Sequence, residues 1–265
     1  MPSADGERLP SVKPDRIIRP PARKNRPPPN GNLNLLLASL PPADYARLVP
    51  ALDVVPLKLK DFLHQPGQPI EHVFFPGGGY VSILTVLQDG SMVEVATIGR
   101  EGLIGAFAAT DASTSPTAAT LVQAATDTCY RMTAAAFRAE LDQRGALYEL
   151  VTRFAQALVG FIMQSTACNA VHSIEQRLAR WLLMAQDRME SADFPLTHEF
   201  IATMLGASRP TVTIVAGTLQ KAGLITYHRG HVTIVDREKL EAASCECYQA
   251  ATDLLKSVTA GVHRP

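Results

Sequence analysis

The apolar positions change period along the chain, and each change marks a new kind of element. A short helical stretch covers about residues 33–52. Alternation with period two follows, clearest in residues 80–87 and 92–98, with Gln88-Asp89-Gly90-Ser91 between them. Asp89-Gly90 suits a two-residue turn, because glycine adopts positive φ without steric cost. That turn predicts Val86 opposite Val93 and Leu84 opposite Val95, on one apolar sheet face. Gly77-Gly78-Gly79 marks a bend before this hairpin, and residues 120–130 read as one further strand. Short strands separated by Gly and Pro turns predict a small roll or barrel.

From Thr133 onward the period becomes helical. After a short helix over 134–141, residues Leu147, Val151, Phe154, Leu158, Phe161, Ser165, Cys168 and His172 recur at alternating spacings of four and three. This is the 3.5-residue seam of a helix packed against a parallel copy of itself. The same spacing also fits an amphipathic helix lying on its own core, and Gly160 and Gln164 dilute the seam. Glu149, Arg153, Gln156 and Gln164 interrupt the apolar stretch, which argues against a membrane span.

A second helical block begins at Ser173 and leads to residues 196–219. Thr197 is a plausible N-cap, Ala202 is small where two helices would cross, and Gly206 sits where a tight inter-helix turn needs a permissive backbone. Ser208 caps a second helix, and Pro210 stands near its start, where a missing N–H does no harm. Val212 and Val215 face back to the core. This pattern predicts a helix-turn-helix whose second helix is available to the DNA major groove. Residues 219–235 then read as helix end, strand, Gly turn and strand: a wing with Arg229-Gly230 at its tip. The DNA-contacting candidates are Thr197, His198, Ser208, Arg209, Thr211, Val212, Thr213, Lys221, His228 and Arg229.

Charge narrows this picture. The net charge is zero, yet residues 1–31 carry seven Lys/Arg against three Asp/Glu, and residues 32–172 carry eight against twelve. Any DNA contact must come from a local patch, and residues 196–231 supply Arg209, Lys221 and Arg229 against Glu199 alone. Eight prolines in residues 1–31 predict an extended, disordered tail. No apolar segment with a cleavage site opens the chain, and four unevenly spaced cysteines make no disulfide framework, so a cytoplasmic location is expected.

The succession of roll, long helix, Arg177-Leu-Ala-Arg-Trp-Leu-Leu183, helix-turn-helix and wing resembles the Crp/Fnr family of bacterial transcriptional regulators. Ala207-Ser208-Arg209, Thr211-Val212 and Leu219-Gln-Lys-Ala-Gly-Leu-Ile225 carry the resemblance most closely. It implies an α+β chain: a cyclic-nucleotide-binding-like β-roll at 32–143, a dimerisation helix at 144–172 and a winged helix-turn-helix at 173–243. A tail at 1–31 and an extension with Cys-x-Cys at 244–265 flank them. It further implies a homodimer joined through Leu147, Val151, Phe154, Leu158, Phe161 and Ser165. Double-stranded DNA with a palindromic operator, and RNA polymerase, are the implied partners.

Two departures from that family pattern matter. Pro210 and Ile214 stand where the recognition helix usually carries Glu and Arg, so the operator should differ from that of the cyclic-AMP-responsive members. In the stretch resembling the phosphate cassette, residues 100–107 and 113–118, Ala106 replaces the usual Glu and no Arg occurs between 101 and 130. A buried phosphate there would stay uncompensated, so cyclic AMP is not expected to bind in the usual way.

Cys168 and His172 stand one helical turn apart, and Cys245 and Cys247 lie past the wing. These four are candidate metal ligands, making a metal- or redox-sensing regulator an alternative; equally, they could be packing residues or free thiols. No cofactor is required by the sequence. A Cys168/His172 couple also raises a thiol-dependent enzyme, but no phosphate loop, dinucleotide fingerprint or HExxH motif is present, so catalysis is not expected.

Overall fold

The computed structural model describes residues 34–109, 118–189 and 191–260. The tail at 1–31 and residues 113–117 of the cassette stretch lie outside the described residues. Two short helices, α1 (Leu35–Ala38) and α2 (Pro42–Leu48), lead into seven antiparallel strands. These are β1 (Asp53–Leu57), β2 (Phe62–His64), β3 (His72–Pro76), β4 (Tyr80–Val86), β5 (Met92–Ile98), β6 (Ala118–Ala124) and β7 (Thr126–Thr133). They form two sheets, ordered β2-β6-β4-β5 and β1-β7-β3. Val73, Phe75 and Tyr130 of one sheet and Val81, Ile98 and Val122 of the other are buried in one shared core.

Two expectations about the strands need correction. The single strand expected over 120–130 breaks at Ala125, so that β6 pairs with β4 while β7 joins β1 and β3. The β4–β5 hairpin closes through three residues, 88–90, rather than two: Leu87 donates its N–H to the Ser91 carbonyl (2.8 Å), and Gly90 takes φ +82°. The extra loop residue slips the register, pairing Val86 with Met92 and Leu84 with Glu94. A bulge between Ile83 and Leu84 absorbs the slip, so Ile83 pairs with Ala96. Without it the inner half of the hairpin would turn its apolar face outward.

The helix α3 (Ala134–Leu141), capped by Thr133, lies where the sequence predicts it. The long helix α4 (Ala146–Val171) follows. It is long and apolar enough, by length and composition, to cross a membrane, with a mean hydropathy of 1.3 over 18 residues. Its apolar side, however, is used within this chain. Leu147, Val151 and Phe154 enter the roll core, and Phe161 packs with Ala96, Met184 and Ala251.

The remaining elements are α5 (Ile174–Met189), β8 (Asp193–Pro195), α6 (His198–Leu205), α7 (Arg209–Lys221), β9 (Ile225–His228), β10 (His231–Ile234), α8 (Arg237–Ala243) and α9 (Cys247–Thr259). Strands β8, β10 and β9 make a small antiparallel sheet in that order. Helix α9 returns to lie on α4, where Gly160 leaves room for Leu254: a Cβ at Gly160 would meet its Cδ2 at 3.2 Å.

Candidate nucleic-acid interface

The helix-turn-helix is built from local signals that agree. Thr197 accepts a hydrogen bond from the Phe200 N–H (3.2 Å) and caps α6; Gly206 ends it at φ +59°, a left-handed backbone that glycine takes without strain. Ser208 accepts from the Thr211 N–H (3.3 Å) and caps α7, with Pro210 in the first turn. Val212, Ala216 and Leu219 are buried, seating α7 against a core that includes Leu182, Ile201 and Leu205. The opposite face is open: Ser208, Arg209, Pro210, Thr213 and Ile214 are exposed, Ile214 at 70%.

The sequence-derived contact residues separate into groups. Ser208, Arg209 and Thr213 share the exposed start of α7, with Thr211 half-buried beside them. The Thr211 and Ser208 hydroxyls lie 2.8 Å apart, and the Thr213 hydroxyl donates to the Arg209 carbonyl (3.0 Å). His228 and Arg229 are exposed at the wing tip, where Arg229 has φ +49° and Gly230 φ +81°. Lys221 is exposed at the far end of α7, roughly 18 Å along the axis from Arg209 at 1.5 Å per residue. Among the described residues, Arg209, Lys221 and Arg229 make no ion pair with a carboxylate.

Two candidates do not fit a surface role. Val212 has no exposed area and is an anchor rather than a contact, because its position on the helix points to the core. His198 is half-buried, stacked on the Tyr227 ring at 4.2 Å and 3.0 Å through Nδ1 from the Thr213 hydroxyl. Burial, and then the Arg209 charge, lower its pKa, so it adds no positive charge at neutral pH. Its role is to brace Thr213 and the wing strand against α7. Conversely, Ile214 faces outward and was missing from the sequence-derived contacts. Its signal was phase: it falls between the buried positions 212 and 216.

The expected self-association seam turns inward. Leu147, Val151, Phe154, Phe161 and Ser165 are 0–6% exposed and Leu158 is half-buried, covered by this chain's own roll and by α9. The seam spacing therefore reports the core-facing side of α4. Its other side exposes Val159 (57%), Met163 (67%) and Val171 (74%), with Thr152, Gln156, Thr166 and Ala170 along the same stripe.

Side-chain contacts join the helical block to the roll. Trp181 on α5 lies edge-on to Tyr80 (6.2 Å) and Phe200 (5.9 Å) and donates to the Glu94 carboxylate on β5 (2.8 Å), which also accepts from Ser82. Arg188 at the end of α5 pairs with Glu101 (2.8 Å) and donates to the Thr97 carbonyl (3.2 Å). Between the β2-β6-β4 face and α6 lies a cleft of about 450 Å³, lined by Phe62, Tyr80, Leu121, Gln123, Phe200 and Met204. In the cassette stretch, Ala106 opens a single 3₁₀ turn and Phe107 is 57% exposed.

The four candidate metal ligands converge, although 77 residues separate Cys168 from Cys245. One ligand atom from each of Cys168, His172, Cys245 and Cys247 lies within 4.8 Å of the others, with the cysteines buried and His172 half-buried. Cys129, the remaining cysteine, is buried in β7 away from this group. Burial raises Cys168 to about 12 and raises Cys245 as well, so in the absence of a metal both are thiols. Spacing alone did not identify Glu246 or Gln164 as neighbours of the cluster; the turn before α9 brings Glu246 against His172, and α4 brings Gln164 against Cys247.

Residues 176–243 match the model of the Crp-like helix-turn-helix domain. No curated protein matches the chain. Among solved structures, a transcriptional regulator of the Crp/Fnr family from Eubacterium rectale is similar at 16% identity with a TM-score of 0.63, covering 78% of this chain and 96% of its own. A CRP-family transcriptional regulator of Thermus thermophilus is similar at 20% identity and TM-score 0.59, covering 71% and 95%. FixK2 of Bradyrhizobium japonicum is similar at 16% identity and TM-score 0.56, covering 73% and 98%.

Proposed function

We propose that this chain, which carries a Crp-like helix-turn-helix domain over 176–243 and is similar in fold to solved Crp/Fnr regulators, is a sequence-specific DNA-binding transcriptional regulator of that type, acting as a homodimer. One observation carries the reading: the N-terminal half of α7 presents Ser208, Arg209, Thr213 and Ile214 outward while Val212, Ala216 and Leu219 hold it from behind. A helix seated in this way can enter a major groove end-first. Arg209 is the exposed cation at that end, suited to a guanine edge; Ile214 offers an apolar contact for a thymine methyl. Arg229 at the wing tip and Lys221 suit phosphates.

Dimerisation through the exposed stripe of α4, around Val159 and Met163, would bring a second recognition helix to the same duplex about one helical turn away, favouring a palindromic operator. The domain division at 32–143, 144–172 and 173–243 is part of this proposal, as are a cytoplasmic location and contact with RNA polymerase. The role is regulatory rather than catalytic. Ala106 in the cassette stretch supports a chain that does not take cyclic AMP in the family's usual way, so calorimetric titration should give no micromolar binding. Arg209→Ala tests the reading. It should weaken cognate binding by an amount on the order of 1–3 kcal/mol and relax specificity, read by fluorescence anisotropy on matched and mismatched duplexes. Equal affinity for parent and variant would remove α7 from the interface.

A further inference from the structure

We propose that Cys168, Cys245, Cys247 and His172 bind one divalent, thiophilic cation of the zinc class, and that this ion locks the joint between α4 and the helix-turn-helix. Two ligand pairs already have the required spacing: Cys168 Sγ lies 3.6 Å from Cys245 Sγ, and Cys247 Sγ lies 3.5 Å from His172 Nδ1. A tetrahedral ion held at ~2.3 Å by sulfur and ~2.0–2.1 Å by nitrogen spaces its ligands roughly 3.5–3.8 Å apart. Three soft sulfurs and one imidazole select zinc, or ferrous iron and cobalt in its place, over magnesium or calcium. With all four atoms inside 4.8 Å, the group closes around a single ion and leaves no room for the inorganic core of a multi-iron cluster.

The surroundings are those of a metal site and not merely a cluster of thiols. His172 Nε2 lies 3.3 Å from the Glu246 carboxylate. A proton on Nε2 donated to Glu246 leaves the Nδ1 lone pair facing the cysteines, the carboxylate–histidine arrangement that orients a metal-bound imidazole. Gln164 donates its amide N–H to Cys247 Sγ (3.0 Å), an outer contact that would hold a metal-bound sulfur in place. Three thiolates on a divalent ion carry one excess negative charge. Arg180 and Arg177 lie near enough to interact electrostatically with Cys168 and so offset it. Binding exchanges three thiol protons, released to solvent, for one M²⁺, with no change in oxidation state.

The position gives the ion a task. Cys168 is in the last turn of α4, His172 caps that helix, and α5 starts two residues later at Ile174. Cys245 and Cys247 lie where the chain leaves α8 and enters α9. One ion would fasten both crossings between α4 and the winged block, fixing the direction in which α5 leaves the joint. The consequence for DNA rests on the function proposed above; the metal site itself does not.

The test uses the full chain, purified with reductant and without chelator, with metal content measured by mass spectrometry and cobalt titrated into the apoprotein. The expected result is one zinc per chain and, with cobalt, the intense visible bands of a tetrahedral site with sulfur-to-metal charge transfer. Cys245→Ser with Cys247→Ser should abolish both, and Cys129→Ser should change neither. Glu246→Gln keeps all four ligands and should weaken metal binding 10–100-fold, a readout that survives if the cysteine variant fails to fold. Absence of both zinc and the cobalt spectrum in natively folded protein, or a Cys168–Cys245 disulfide in protein kept reduced, overturns the site. If the metal binds but its removal changes operator affinity less than twofold, the locking role is wrong and the site stands. If cobalt binds but no duplex is bound in either state, the DNA reading has failed independently.

Discussion

Glu94 shows how much a single residue can do at the boundary between roll and winged block. Burial raises its pKa to about 7, against the opposing pull of Ser82 and Trp181 and of the Arg180 and Arg188 charges. The folded chain therefore holds this proton more tightly than the unfolded chain, in which the carboxyl titrates near its ordinary 4.5. Stability falls as pH rises between those two values and levels off above about 7, by on the order of 3 kcal/mol at most from this group. Glu94→Gln keeps an oxygen acceptor for Trp181 and turns an amide N–H toward the Ser82 hydroxyl in place of the carboxylate oxygen, without the charge. It should match the parent near pH 5 and exceed it at pH 8. Trp181 is the chain's only tryptophan and sits on the Glu94 carboxylate, so its fluorescence reads both the titration and the unfolding. An unchanged pH slope in the variant would assign the dependence to another group. None of this was legible in the sequence, where Glu94 was one polar position of an alternating strand.

Elements were easier to read than residues, for reasons that differ from one to the next. The cap signals Thr197 and Ser208, the turn at Gly206 and the wing turn at Arg229-Gly230 depend on local chemistry, and the structure places all of them where the sequence predicts. The β4–β5 register differs by one residue from the one Asp89-Gly90 predicts, because a three-residue loop and a compensating bulge between Ile83 and Leu84 leave no mark in the period-two alternation. Two glycines in the helix-turn-helix test the local account with opposite signs. Gly206 needs φ +59°, so Gly206→Ala should cost about 1–2 kcal/mol. Gly217 lies inside α7, and a Cβ there meets nothing within 4 Å, so Gly217→Ala should stabilise by roughly 0.5–1 kcal/mol. Urea unfolding of the two variants decides it, and destabilisation by both would contradict the open space beside Gly217.

At the scale of the whole molecule, the face of α4 left free for the proposed self-association was not legible. The heptad-like spacing from Leu147 to His172 marks a buried side, but sequence cannot say whose atoms bury it. Here they belong to the roll and to α9, a helix that the sequence reading treated only as an extension. What remains outward is the Val159–Met163 stripe. Met163→Glu should therefore convert a dimer to a monomer by light scattering, with the circular dichroism of the fold retained, whereas an unchanged dimer would place the interface elsewhere. Convergence of the cysteines belongs to the same scale: residue types and the Cys-x-Cys spacing suggest metal chemistry, and only the return of α9 to α4 brings the four candidate ligands together. The central claim is that two copies of α7 read one duplex. Selection of the full-length protein against a random duplex pool tests it most directly. The account predicts a two-fold symmetric site with half-site centres about one helical turn apart, lost in Arg209→Ala. A pool that shows no enrichment, or that yields only an asymmetric single half-site, would contradict it.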